Sequence, residues 1–128
     1  MGKARVLVVD DDVNLARLAA MVLENSGRYH VMTECDSTRA LGVARHFRPE
    51  LLLLDVDMPV KSGSDVLREI EADDSLHDTP VVFLTGMLKK EQIGDELHES
   101  AGKFFLSKPV LPEVLLSCVA EVLGAKAA

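Results

Sequence analysis

The run LLLLDV at residues 51–56 constrains the fold more than any other segment. Four consecutive leucines leave no polar face, which suits a central strand covered by helices on both sides and not an edge strand facing water. Strands of that kind belong to parallel sheets, whose neighbours need crossover connections of a dozen or more residues. Asp55 interrupts the run, and a carboxylate there is costly unless it has a partner or a task.

The rest of the chain supplies the crossovers. A β-branched-rich run, Ala4–Val9, ends directly in Asp10, Asp11 and Asp12. From Leu15 the period changes, with Leu18, Ala19, Val22 and Leu23 on the same helical face and Gly27 as the stop. Residues 29–33 form a weaker strand, and Ala40, Leu41, Ala44 and Phe47 a second helical stripe closed by Pro49. Ser62 or Ser64 can cap a helix carrying Val66, Leu67 and Ile70. Val81–Thr85 is a fourth strand, followed by a polar helix with Ile93 and Leu97 that Gly94 weakens. Residues 104–106 make a fifth strand. The last helix starts near Pro112, with Val114, Leu115, Cys118, Val119 and Val122 inward. Five strands alternating with five helices imply an α/β fold with a parallel sheet.

At 128 residues with a net charge of −7, the chain has the size of one domain and the wrong sign for bulk attraction to nucleic acid or anionic membrane. The expected reading is one domain over 1–128, cytoplasmic, with protein or cation partners and no direct nucleic-acid or membrane binding. The apolar run at Ala4–Val9 is too short for a membrane span and lacks a signal-peptide layout. Cys35 and Cys118 form no CxxC or metal-ligand grouping and read as reduced, mostly buried thiols.

In a parallel sheet, functional groups gather beyond the carboxyl ends of the strands. Asp10 and Asp11 follow the first strand, Asp55 ends the third, Thr85 ends the fourth and Lys108 follows the fifth, so all share that edge. Two carboxylates about 4 Å apart repel by roughly 4 kcal/mol at an effective dielectric near 20, and a divalent cation relieves the strain. Mg²⁺ takes hard oxygen ligands, commonly one or two carboxylates together with phosphate oxygens. Lys108 supplies a positive charge, Thr85 a hydroxyl, and Gly86 open space. The plainer reading of Asp10, Asp11 and Asp12 alone is a surface loop and a helix cap.

VLVVDD at 6–11, LLLLDVDMP at 51–59 with Gly63 following, PVVFLTG at 80–86 and FLSKP at 105–109 together resemble the response-regulator receiver family of two-component signalling, over essentially the whole chain. The resemblance implies a single receiver domain with a doubly wound, flavodoxin-like three-layer sandwich of strand order 2-1-3-4-5. It implies that Asp55 accepts a phosphoryl group from a histidine kinase or phosphotransfer protein. Asp10, Asp11, Asp55 and the backbone carbonyl of Asp57 would hold Mg²⁺. Thr85 and Lys108 would engage the phosphoryl group, with Thr85 and Phe105 as the switch pair and Lys108–Pro109 as a cis bond. The chain would then catalyse its own phosphorylation and dephosphorylation while acting as a switch toward a downstream protein or, once phosphorylated, a second copy of itself.

Lys61 departs from the usual apolar loop residue, Asp12 extends the acidic pair, and Val110 replaces a common aromatic. Asp57 and Met87 occupy variable positions bordering the route of an attacking water, and 88–103 is atypically polar. Two alternatives stand beside the switch. One is a receiver fold used as a phosphorylation-independent protein-binding module. The other is a small haloacid-dehalogenase-like phosphohydrolase, whose DxD motif Asp55-Val56-Asp57 resembles. Against it, Pro59 stands where that family has threonine or valine, and no late acidic metal motif follows Lys108.

Overall fold

The computed structural model describes residues 2–86, 98–100 and 103–127. Its elements are β1 (Ala4–Val9), α1 (Val13–Asn25), β2 (Tyr29–Glu34), a 3₁₀ turn (Ser37–Arg39), α2 (Ala40–Phe47), β3 (Leu51–Asp55), α3 (Gly63–Glu71), β4 (Val81–Thr85), β5 (His98–Ser100), β6 (Lys103–Ser107) and α4 (Pro112–Ala127). β2, β1, β3, β4 and β6 lie side by side and parallel, which is the doubly wound 2-1-3-4-5 order expected from the sequence. A short antiparallel strand, β5, is added at the β6 edge, pairing His98 with Phe105 and Ser100 with Lys103. The sequence pattern gives no strand there. The polar helix expected around Ile93 and Leu97, and Met87 with it, lie outside the described residues.

Period-2 alternation sorts the strand residues between two faces. Val6, Val8, Leu51, Leu53, Val82, Leu84 and Leu106 pack against Ala16 and Leu23 of α1 and Leu115, Cys118, Val119 and Val122 of α4. Leu7, Val9, Leu52, Leu54, Val81 and Phe83 pack on the other side against Ala40 and Ala44 of α2 and Val66 and Ile70 of α3. Every residue of β3 is buried, so the leucine run is the central strand its composition requires.

Local chemistry sets the helix ends. Asp12 caps α1, its carboxylate accepting from Asn14 N at 3.0 Å and Leu15 N at 3.2 Å. Gly27 follows that helix at φ 79°, a left-handed position that glycine adopts without steric cost. Ser62, of the two candidate serines, caps α3 through a reciprocal box with Asp65. α2 ends one residue ahead of Arg48, which takes the left-handed conformation itself, before Pro49 is reached. Both cysteines are free thiols, Cys35 half-buried and Cys118 buried.

Candidate functional site

Each parallel strand stops where its hydrogen-bond ladder reaches the carboxyl rim, and the next residues are held by neighbouring backbone. Asp10 N donates to Glu34 O at 3.2 Å, Val56 N to Leu84 O at 3.1 Å, and Lys108 N to Thr85 O at 2.9 Å. These ties bring Asp10, Asp55, Thr85 and Lys108 to one rim, and Thr85 pairs with Ser107 across β4 and β6. The side chains of Asp10, Asp55 and Thr85 are buried although two of them are acids.

Asp10, Asp11 and Asp55 each present a carboxylate oxygen within 4.8 Å of the others. Lys108 Nζ lies 2.8 Å from Asp10 Oδ2 and 3.2 Å from Asp55 Oδ1. Asp10 Oδ2 is shut off from solvent and takes no well-aligned hydrogen bond, so the lysine contact is chiefly ionic; its other oxygen accepts from Asp12 N at 3.0 Å. The aspartate triplet thus divides its labour. Within it, Asp10 gives the cluster a buried acid, Asp11 gives it the exposed one, and Asp12 is the helix cap.

Burial, followed by the negative charge of Asp10, pushes the Asp55 carboxyl up to about 6, against the opposing pull of Lys108. Burial would lower the Lys108 ammonium, but the close contact and charge of Asp10 and the charge of Asp55 outweigh it and hold it above its ordinary value. Among the described residues, one cation therefore serves a site with three acids, and the excess negative charge suits a divalent metal. The donors are all hard oxygens, with no thiol or imidazole among the three, which fits Mg²⁺ or a similar ion.

The remaining predicted residues sit around this centre. Asp57 is exposed in the loop after β3, and its carboxylate is not one of the three clustered acids. Phe105 is half-buried on β6 and stacks on Phe83, with ring centroids 5.4 Å apart. Among the described residues nothing lies within 4 Å of where a side chain on Gly86 would project, whereas a Cβ on Gly63 would come within 2.5 Å of Asp55 O. The Lys108–Pro109 bond is cis. Sequence reasoning passed over Ser37, buried on the turn after β2, whose hydroxyl reaches the loop that follows Asp55. The run Asp36-Ser37-Thr38 marks a turn, but nothing local names a partner 22 residues away.

A doubly wound sheet whose carboxyl rim gathers three acids and a lysine defines the phosphoacceptor class of signalling module. The family described as "Response regulator receiver domain" matches residues 6–120, and the chain belongs to that family. It is similar to the DNA-binding response regulator MtrA of Mycolicibacterium paratuberculosis, 36% identical over 117 residues, covering 91% of this chain and 50% of that protein. The chain therefore spans about half the length of the MtrA relatives it matches. It is also 30% identical to the polar-differentiation response regulator DivK of Brucella anthropi, over 97% of this chain and 98% of that one. Among solved structures, the chemotaxis protein CheY4 of Vibrio cholerae superposes with a TM-score of 0.80 at 30% identity, covering 94% of this chain and 99% of its own. The three-carboxylate cluster is a receiver phosphoacceptor site, consistent with phosphorylation-dependent signalling and with the self-catalysed chemistry typical of receivers. Family membership sets the chain among receivers, not haloacid-dehalogenase-like phosphohydrolases. Among the described residues no helix is long and apolar enough to cross a membrane.

Proposed function

We propose that the chain is a cytoplasmic signalling switch that takes a phosphoryl group onto Asp55 from a sensor histidine kinase or histidine phosphotransfer protein. The observation that carries this reading is the double contact of Lys108 Nζ with Asp55 Oδ1 and Asp10 Oδ2 inside a cluster of three acids. An Asp55 oxygen attacks phosphorus, the phosphorus–nitrogen bond to the donor imidazole breaks, and the ring nitrogen leaves with its electron pair. The Lys108 ammonium offsets charge on the transferring oxygens, and the Thr85 hydroxyl donates to one of them. Asp10, Asp11, Asp55 and the Asp57 carbonyl would hold Mg²⁺, which supplies charge neutralisation for the phosphoryl oxygens. Water later attacks the same phosphorus, breaking its bond to Asp55 and releasing phosphate.

Thr85 and Phe105 form the readout. A phosphoryl oxygen drawing Thr85 inward leaves space for the Phe105 ring, which has no phenolic hydroxyl and is held by packing such as its stack on Phe83. The surface altered by that movement would receive a downstream protein or a second phosphorylated copy.

Intact-mass measurement after treatment with a small phosphodonor, with and without Mg²⁺, tests the chemistry. The expected result is a Mg²⁺-dependent gain of one phosphoryl group that Asp55→Asn abolishes. Full labelling of that variant would defeat the assignment. A folded wild type that accepts nothing from small or protein donors would establish the phosphorylation-independent binding module instead.

A further inference from the structure

The buried polar side chains among the described residues are Asp10, Ser37, Asp55, Thr85 and Ser107. Ser37 alone among them lies on neither the strands nor the strand ends that build the acid cluster, yet it is only 4% exposed. Its hydroxyl donates to Pro59 O at 3.0 Å and accepts from Lys61 N at 3.3 Å. Those two backbone groups also bond to each other at 2.8 Å, across the single residue Val60.

An i to i+2 bond around a residue at φ 69° is a γ-turn of the strained hand. Its closing bond is bent, so both backbone groups retain capacity for another partner, and one hydroxyl that donates and accepts can bridge them. Valine is a poor occupant of such a position, because its branched Cβ crowds the backbone at positive φ. At 86% exposed, the side chain recovers almost no burial in return. Something outside the turn must hold it, and Ser37 is placed to do so.

This turn is the crest of the loop that begins at Asp55. The foot of the same loop is fixed where Gly63 N donates to Val56 O at 2.9 Å, with no room for a side chain against Asp55 O. Beside the crest, Lys61 Nζ pairs with Glu69 Oε2 of α3 at 2.6 Å. The path of backbone from Asp55 onward is therefore set by pins at both ends, and the crest pin comes from the turn after β2.

We propose that Ser37 is a positioning residue for the phosphoacceptor site: its hydroxyl clamps the Pro59-Val60-Lys61 turn and so fixes how Asp55 and the backbone after it meet the acid cluster. This rests on the reading of Asp55 as acceptor. The clamp is needed because Val60 strains the turn, so relieving Val60 removes the need for Ser37.

The test uses four full-length chains: wild type, Ser37→Ala, Val60→Gly and the double variant. Each is titrated with Mg²⁺ while the amides of Asp55, Val56 and Gly63 are followed by NMR, and each is labelled with a small phosphodonor. Ser37→Ala is expected to lose about tenfold in Mg²⁺ affinity and in labelling rate, the scale of losing a group that orients a ligand. Val60→Gly should match wild type in both, and the double variant should recover most of the loss. Unchanged affinity and rate in a folded Ser37→Ala, or a double variant as impaired as Ser37→Ala, would overturn the proposal. Should Ser37→Ala fail to fold, a folded and active double variant supports the clamp, and an unfolded one refutes it. A wild type that binds Mg²⁺ but takes no phosphoryl group would sink the acceptor reading and leave the affinity ratio to decide Ser37. A wild type that binds no Mg²⁺ would sink both.

Discussion

The two faces of the sheet and its carboxyl rim are built on opposite principles. The buried members of the faces are hydrocarbon, apart from the Tyr29 hydroxyl, the Met58 thioether and the Cys118 thiol. At the rim, each of the five parallel strands delivers one buried polar side chain at or just beyond its end: Asp10, Ser37, Asp55, Thr85 and Ser107. Burial of apolar surface stabilises the faces with little demand on geometry, whereas the rim holds like charges together and keeps a valine at φ 69°. The faces generate the stability that the rim consumes, and the difference teaches where a substitution will register as lost folding and where as lost chemistry.

Leu53→Ala should separate the two most sharply. Leu53 is fully buried in the face under α1 and α4, and its truncation should cost about 3 to 5 kcal/mol in urea unfolding. Labelling per folded molecule should stay near wild type. A comparable loss of labelling would mean the rim is not independent of the faces.

Gly63→Ala attacks the rim through its backbone. A Cβ there would sit 2.5 Å from Asp55 O and 2.9 Å from Val56 Cα, neither of which is a flexible side chain. Destabilisation of about 1 to 3 kcal/mol is expected, together with displaced Asp55 and Val56 amide resonances. Undisturbed resonances would show that the loop yields without moving the acid.

Asp55→Asn should act with the opposite sign. The folded carboxyl titrates near 6, against 3.8 for an ordinary aspartate, so between those values the native state holds more protons than the unfolded chain. Metal-free wild type should therefore lose stability as pH rises from about 4 to above 6, and that contribution returns as the group is protonated. The asparagine variant should lack this slope and be more stable than wild type at pH 8, which paired urea titrations at pH 5 and 8 would check. A less stable variant at pH 8 would show that the Lys108 contact outweighs the burial of charge.

The smallest effect belongs to a charge paired away from the rim, that of Asp73. Asp73 accepts from Ser75 and from Arg45 Nε at 2.6 Å, and these hydrogen bonds, the Ser75 hydroxyl first, pull its carboxyl down to about 2. Its contribution is complete above the ordinary aspartate value and disappears as pH falls toward 2. Asp73→Asn should lower the thermal midpoint slightly at pH 7 and by much less at pH 2.

Much of this division can be read from the chain. The leucine run announces a central strand, and the requirement that parallel strands share one carboxyl edge gathers Asp10, Asp11, Asp55, Thr85 and Lys108 before any coordinate is known. What stays hidden depends on contacts between distant segments. β5 pairs with β6 through backbone groups, and His98, Glu99 and Ser100 carry no strand pattern of their own. Ser37 looks like a turn residue because its partners lie beyond the next helix and strand. Val60 is among the last side chains local preference would put at positive φ, so its conformation follows from the loop being fixed on either side. Asp12 lies beside two cluster acids, and only geometry shows that its carboxylate is spent on the helix start.

The two thiols fall one in each region. Burial pushes the Cys118 thiol up to about 12, and that of Cys35 is raised by burial, then by Glu34, Asp10 and Asp11. Alkylation proceeds through the thiolate, so in the native protein Cys118 can react only when the face under α4 comes open. Cys35, half-buried beside the rim, needs a much smaller excursion. Timed alkylation of the unmodified chain thus gives two clocks in one molecule, one counting how often the face under α4 comes open and the other counting how often the edge of the sheet breathes.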